Sequence, residues 1–308
     1  DRAARALEVY GHSEAGRVRQ EADAFRQDLI RGFETMRKHS PLVRLRDGRW
    51  VPQYPSRLYC RGRDVGWIRQ VIEGAAYLIL SGLLDPRSRQ AAWILDDYQD
   101  NLYLTPPYGY VMREPEADLL SRGGFSIQPC LLPGLMPHLE RDEPEIYLWM
   151  FFNAFATIYR EEISGMIEHP MPELGFSTSV VFKTSDEANA VMWMRSMVVY
   201  WNDRLLRFGR AMPRAWFAQR TPVELTGVCT LFGHVGVHYE ARLADRKIIA
   251  RVELSTLRDN PQVLVRFRHA HKAAIRTVSV NGRLWTRFAG EDVDITGLSG
   301  SVLVEVEY

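Results

Sequence analysis

The sequence predicts an α+β chain in two parts: an α/α toroid over residues 1–210, then an antiparallel β-sandwich over 211–308. Three observations predict this. Apolar residues recur at steps of three and four through the first part, the period of a helix face. Very short turns alternate there with three loops of about 25 residues, at roughly 40–64, 101–125 and 161–183, far longer than the ~4–6 residues usual in compact domains. Near Pro213 the pattern changes to the alternation of half-buried strands.

The elements follow in order. Ala3 to Tyr10 form a short helical pattern, broken by Gly11-His12. Val18, Ala22, Phe25, Leu29, Phe33 and Met36 mark a helix over about 13–39, closed by Pro41. Residues from about 65 to 83 are apolar almost all round, as in a buried helix. Asp85-Pro86 supplies a cap and a first-turn proline for a helix over 86–100. Helices at about 127–139, 144–160 and 185–200 complete the set, the last opened by Thr184 and Glu187 in capping-box spacing. Met192, Trp193, Met194 and Met197 on it are expected in the core. Two-sided buried helices thus alternate with one-sided outer ones, which predicts two concentric helical layers. About seven helices are counted and a full toroid of six hairpins has twelve, so an incomplete or open toroid is expected. The sequence opens inside a helical pattern without an initiating Met, which suggests a processed or truncated chain.

Strands are read at 223–225, 235–239, 248–254, 263–267, 278–280 and 302–306, with Asn260-Pro261 and Asn281-Gly282 as turn signals. Arg251, Arg266, Arg268, His269, His271 and Lys272 are expected on the wet face of these sheets.

Composition sets limits. The 308 residues are 46% hydrophobic and 25% charged, enough for a sizeable core. A net charge of +1 gives no global field toward nucleic acid or acidic membranes, and no apolar run reaches the ~18–20 residues of a membrane span. Cys60, Cys130 and Cys229 are widely spaced and read as buried free thiols. No HExxH, DxDxDG or three-His pattern occurs, so no metal or other cofactor is expected.

Tight turns reverse the chain between helices, so the three long loops should emerge on one side. Together they carry arginines, aromatics and carboxylates. Arg63-Asp64-Val65-Gly66-Trp67, Arg122-Gly123-Gly124-Phe125, Ile167-Glu168-His169 and Val280-Asn281-Gly282 with Trp285 give the chain its resemblance to a known family. It resembles the C-terminal portion of the six-hairpin, (α/α)6-barrel glycosidase superfamily, which ends in a β-sandwich. The resemblance implies a glycoside hydrolase, commonly inverting, that binds sugar at the mouth where inner helices begin. It implies a carbohydrate substrate as partner, and association with an N-terminal portion or with a second copy.

Glycoside cleavage needs two carboxyl groups across the scissile bond. Asp64 stands at the start of a buried helix, where the dipole favours its anion and suits it to act as base; its alternative role is a helix cap. Glu168 lies on a rigid, apolar-flanked loop and suits the acid; its alternative role is to order that loop. Arg61, Arg63, Trp67, Tyr108, Tyr110, Arg122 and His169 are the expected substrate contacts, the aromatics by stacking and the arginines by bidentate hydrogen bonds. Asp96, Asp97 and Asp100 end a helix against its dipole, which implies compensating partners. Two rivals remain on the same residues. One is a polysaccharide lyase with a Tyr or His base, its Arg61 and Arg63 neutralising a uronate. The other is a non-catalytic carbohydrate-binding protein.

Overall fold

The computed structural model describes residues 1–62, 75–102, 135–167, 170–171, 176–177, 184–219 and 221–308. They divide into two compact units. One comprises Asp1–Arg141 and Trp149–Asn189, the other Asp142–Leu148 and Ala190–Tyr308. The described residues form seven α-helices together with β-sheets, a mixed α and β architecture.

In the first unit the helices begin with Arg2–Val9 and Ala15–Lys38. The second of these has no buried residue, although it is amphipathic. Helix Ala76–Leu80 buries Ala76, Leu78 and Ile79, in line with the apolar run read from the sequence. Helix Arg89–Asp97 starts later than expected. Ser88 is its cap, its Oγ accepting from Ala91 N–H at 3.2 Å. The Asp85 carboxylate instead accepts from Arg87 N–H at 2.8 Å, so Asp85-Pro86 forms a turn ahead of the helix. A π-helical turn, Tyr98–Leu102, extends it. Met136–Arg141 follows, and Arg141 donates to Pro86 O at 2.7 Å. Pro144–Ile158 and Thr184–Val198 each run from one unit's residues into the other's.

The long loops are partly built from short strand pairs. In the first, β1 (Leu42–Arg44) pairs with β2 (Trp50–Pro52). In the third, β3 (Tyr159–Arg160) pairs with β4 (Gly165–Met166), and β5 (Pro170–Met171) with β6 (Phe176–Ser177).

The second unit holds two sheets. Strands β7 (Val199–Trp201), β8 (Leu205–Phe208), β12 (Gln262–Arg266), β15 (Phe288–Ala289) and β16 (Asp292–Asp294) form one, in the order β15-β16-β12-β8-β7. Strands β9 (Val223–Thr230), β10 (Gly233–Arg242), β11 (Lys247–Glu253), β13 (Thr277–Val280), β14 (Arg283–Leu284) and β17 (Ser301–Glu307) form the other, in the order β14-β13-β17-β11-β10-β9. Alternation decides the buried face: Ile248, Ala250 and Val252 on β11 and Val302, Val304 and Val306 on β17 are each 0% exposed. Each such side chain contributes roughly 1.5–3 kcal/mol on burial. Tyr239 on β10 packs edge-on against Phe267, and its hydroxyl donates to Arg266 O at 3.2 Å, which links the two sheets.

The structure corrects five expectations. The sheets begin at Val199, before residue 211, because Val198 to Trp201 is a short apolar run whose period cannot distinguish strand from helix end. The strands are not all antiparallel, since β12 pairs parallel with β8. Arg266 and Arg268 are not on a wet face: they are 7% and 1% exposed, neutralised by carboxylates described below. Cys229 is exposed and Cys60 half-buried; β9 is the edge of its sheet, so Cys229 is left uncovered, while Cys130 lies outside the described residues. Of the Met and Trp stripe, Trp193 and Met197 are buried and Met194 is exposed.

Candidate functional site

Side-chain hydrogen bonds and close packing, more than its own short strands, hold the first long loop in place. Gln53 N–H donates to Pro41 O at 2.9 Å, and Gly62 N–H to Ser40 Oγ at 2.8 Å. Tyr54, 1% exposed, donates to Glu34 Oε1 at 3.2 Å. Burial first, then the Glu34 charge, pushes the Tyr54 phenol well above its ordinary pKa, so it is a poor proton acceptor. Beneath it a small apolar cavity of about 20 Å³ is lined by Leu29, Ile30, Phe33, Leu78, Leu83 and Leu84 with Tyr54 and Glu34. The Glu34 carboxylate also takes two hydrogen bonds from Arg37.

The tip of the β1–β2 hairpin reaches the end of helix Arg89–Asp97. Arg46 donates its backbone N–H to Asp100 Oδ2 at 2.8 Å and its Nε–H to Asp100 Oδ1 at 2.6 Å. Arg49 reaches Asp96 at 3.1 Å and Asp47 at 2.5 Å. These are the compensating cations that three carboxylates at a helix C-terminus require. Asp97 is 1% exposed and accepts from Asn101 Nδ2 at 2.9 Å. The buried Tyr98 hydroxyl accepts the Ala75 N–H at 2.6 Å. The start of the second long loop is thereby fastened to the first. π-helical turns such as Tyr98–Leu102 are frequent at functional sites.

The third loop starts with Glu161 and Glu162, both exposed, on a single 3-10 turn that ends at Ser164 in the left-handed region. Met166 N–H donates to the Glu187 carboxylate at 3.3 Å, so the glutamate read as a capping-box partner also holds β4.

Of the residues expected to act, Arg61 is described. It is exposed and makes no ion pair with a described residue. Asp64, Arg63, Trp67, Tyr108, Tyr110, Arg122, Glu168 and His169 lie outside the described residues. The structure adds one residue that the sequence reading passed over. Trp50 on β2 is 62% exposed, and it is the exposed tryptophan among the described residues.

The second unit contains a buried charge network of another kind. Arg266 grips Asp142 through Nη1 and Nη2 at 2.5 and 2.9 Å, and Asp292 through Nε and Nη2 at 2.8 and 2.6 Å. Arg210 Nη1 lies 2.6 Å from Asp142 Oδ1. Arg268 holds Glu145 at 2.6 Å and donates to Met212 O at 2.7 Å, while Arg214 holds Glu291 at 2.6 Å. Burial alone would raise the Asp142 pKa. Hydrogen bonds from Arg266, then the charges of Arg266, Arg210 and Arg207, bring it down to about 2. Burial lowers Arg210 to about 10, still charged at neutral pH. Carboxylates saturated by guanidinium groups donate no protons, so this network fixes the segment Asp142–Leu148 on its sheet and is no acid–base pair.

With this geometry established, the chain was compared with known proteins. No family model and no curated protein matches it. A solved structure titled "Glycoside hydrolase" is similar over 58% of this chain and 31% of its own, at 10% identity and a TM-score of 0.32. The matched region is thus under a third of that protein's length.

Proposed function

We propose that this chain is part of a glycoside hydrolase built as an α/α toroid with a terminal β-sandwich, acting on an oligosaccharide or glycoside. Asp64 is the base and Glu168 the acid of the reaction. Arg61, Arg63, Trp67, Tyr108, Tyr110, Arg122 and His169 bind the sugar. The supporting observation is the double hydrogen bond from Arg46 to Asp100, which fastens the first long loop to the start of the second. A rim made of these loops is what a sugar cleft at the mouth of such a barrel needs. In this reading one carboxyl group, Asp64, lies on the first loop and the other, Glu168, on the third. Water activated by one carboxylate attacks the anomeric carbon while the other carboxyl protonates the departing oxygen, which gives inversion.

A polysaccharide lyase is the second reading, favoured by the exposed Arg61, which has no carboxylate partner among the described residues. Its base is not Tyr54, whose phenol is buried and hydrogen-bonded to Glu34. The test incubates the full chain with neutral and uronate-containing oligosaccharides and follows two signals. New reducing ends without an ultraviolet-absorbing product support hydrolysis. An unsaturated, absorbing product replaces hydrolysis with the lyase. Turnover that persists in the Asp64→Asn, Glu168→Gln double variant removes the carboxyl pair, and binding without any turnover reduces the chain to a carbohydrate-binding protein.

A further inference from the structure

We propose that Trp50 and Arg44 form a subsite for an acidic, uronate-bearing glycan chain. This rests on the carbohydrate reading above and names the class of sugar. In the β1–β2 register Arg44 stands directly opposite Trp50, so their side chains leave the hairpin on the same face. Both are exposed, as is Leu42 one alternation further along that face. The opposite face is covered: Val51 is 2% exposed.

Three features distinguish this tryptophan from the others. Trp93 lies beneath Arg37 and Arg89, Trp201 beneath Arg195 and Trp285 beside Arg287, each with a guanidinium 4.4–5.8 Å from its ring. No such group covers Trp50 among the described residues, so its indole face is open. Its neighbouring cation is also unspent. Arg46 and Arg49 on the same hairpin are paired with Asp100, Asp96 and Asp47, whereas Arg44 has no carboxylate among the described residues. The Arg44 guanidinium lies beside the hairpin turn, 3.8 Å from where a Cβ on Gly48 would stand. Finally, the platform is held in place: the hairpin is tied at its tip by the Arg46 and Arg49 pairs, so ordering cost on binding is low.

An open indole face takes the C–H face of a pyranose, and a guanidinium carried on the same face of the hairpin takes a carboxylate by bidentate hydrogen bonds. A neutral sugar would use the ring and leave Arg44 idle. A uronate uses both, and the charge complementarity commits the site to it. The hairpin carrying the pair contacts the residues at which the second long loop begins. The subsite therefore lies at the border of the rim proposed for the cleft, where it would hold a polymer extending out of it.

The test measures binding of the full chain to polygalacturonate, to its fully methyl-esterified form and to dextran by affinity electrophoresis, beside Trp50→Ala and Arg44→Gln. The expected result is binding to polygalacturonate, weakened at least tenfold by Trp50→Ala. Arg44→Gln should erase the preference for the acid over the ester. Both positions are exposed, so circular dichroism should be unchanged in the variants. Equal binding by wild type and Trp50→Ala, no preference for the acid, or no binding to polygalacturonate each overturns the proposal. If Trp50-dependent binding is present while no glycan is cleaved, the subsite stands and the hydrolase reading falls. If cleavage needs Asp64 and Glu168 but ignores both hairpin variants, the hydrolase stands and the subsite falls.

Discussion

The carboxylate of Asp100 accepts both the backbone N–H and the guanidinium Nε–H of Arg46, at 2.8 and 2.6 Å. The bond joins positions 54 residues apart and fastens one long loop to the next. Asp100→Ala should release the hairpin. The expected loss of stability is about 1 kcal/mol, because Arg46 is 43% exposed and its charge is well screened. Amide hydrogen exchange should rise at residues 42–52 and stay unchanged in the strands of the second unit. Unchanged protection of the hairpin would show that its own strand pairing is sufficient.

Asp142 sets an acid limit on the second unit. Its folded pKa of about 2 is depressed from 3.8, so its contribution is complete above about pH 4 and lost as pH falls through about 2. That contribution is at most about 2 kcal/mol, since the side chain is 32% exposed. Urea midpoints from pH 5 to pH 2 should fall in the wild type and fall less steeply in Asp142→Asn. At pH 7 the same variant should be the less stable protein, by about 2 kcal/mol, because Arg266 and Arg210 lose their shared counter-charge. Parallel pH curves would remove Asp142 from this role.

Two glycines in the same left-handed region should respond differently. At Gly209, φ +71°, an added Cβ would stand 2.6 Å from Arg266 O and 2.7 Å from the Tyr239 hydroxyl. At Gly282, φ +75°, it would meet nothing within 4 Å. Gly282→Ala should cost about 1 kcal/mol, the backbone penalty alone. Gly209→Ala should cost about 3 kcal/mol or more, since backbone atoms would have to move. Chemical denaturation checks both, and equal losses would contradict the packing argument.

Single replacement of either proposed catalytic carboxyl group should be severe. Asp64→Asn and Glu168→Gln should each lower kcat/KM about 100- to 10,000-fold while leaving the melting temperature near that of the wild type. A fall confined to KM would reassign the residue to substrate binding.

Most element positions were legible in the sequence because they depend on local periods. The run Ile248 to Leu254 alternates apolar and polar residues, and a strand with that alternation buries one face wherever it lies. The Asn281-Gly282 pair has positive φ at both residues and closes a hairpin, as its composition requires. Helices Ala15–Lys38, Pro144–Ile158 and Thr184–Val198 fall close to where their apolar spacing puts them, whereas Ala76–Leu80 and Met136–Arg141 cover only part of the helices expected at about 65–83 and 127–139, the rest of which lies outside the described residues. The partners of charges were not legible. Arg266 and Arg268 alternate with apolar residues as a solvated strand would, yet they meet Asp142 and Glu145, more than 120 positions earlier. The candidate site shows the same division. Arg61 was singled out because it stands close to Asp64 in the sequence, whereas Trp50 carried no motif and emerged only from its surroundings.

The sequence by itself determined where most of the helices and the longer strands of the second unit form, and which residue types the long loops offer. These follow from backbone sterics and hydrophobic period, which act over a few residues. Only the tertiary structure decided which carboxylates are neutralised by arginines, which tryptophan keeps an open face, and that the first loop is tied to the second at Asp100. Those outcomes depend on groups far apart in the chain being brought within about 3 Å, the range of a hydrogen bond. No local pattern encodes that distance.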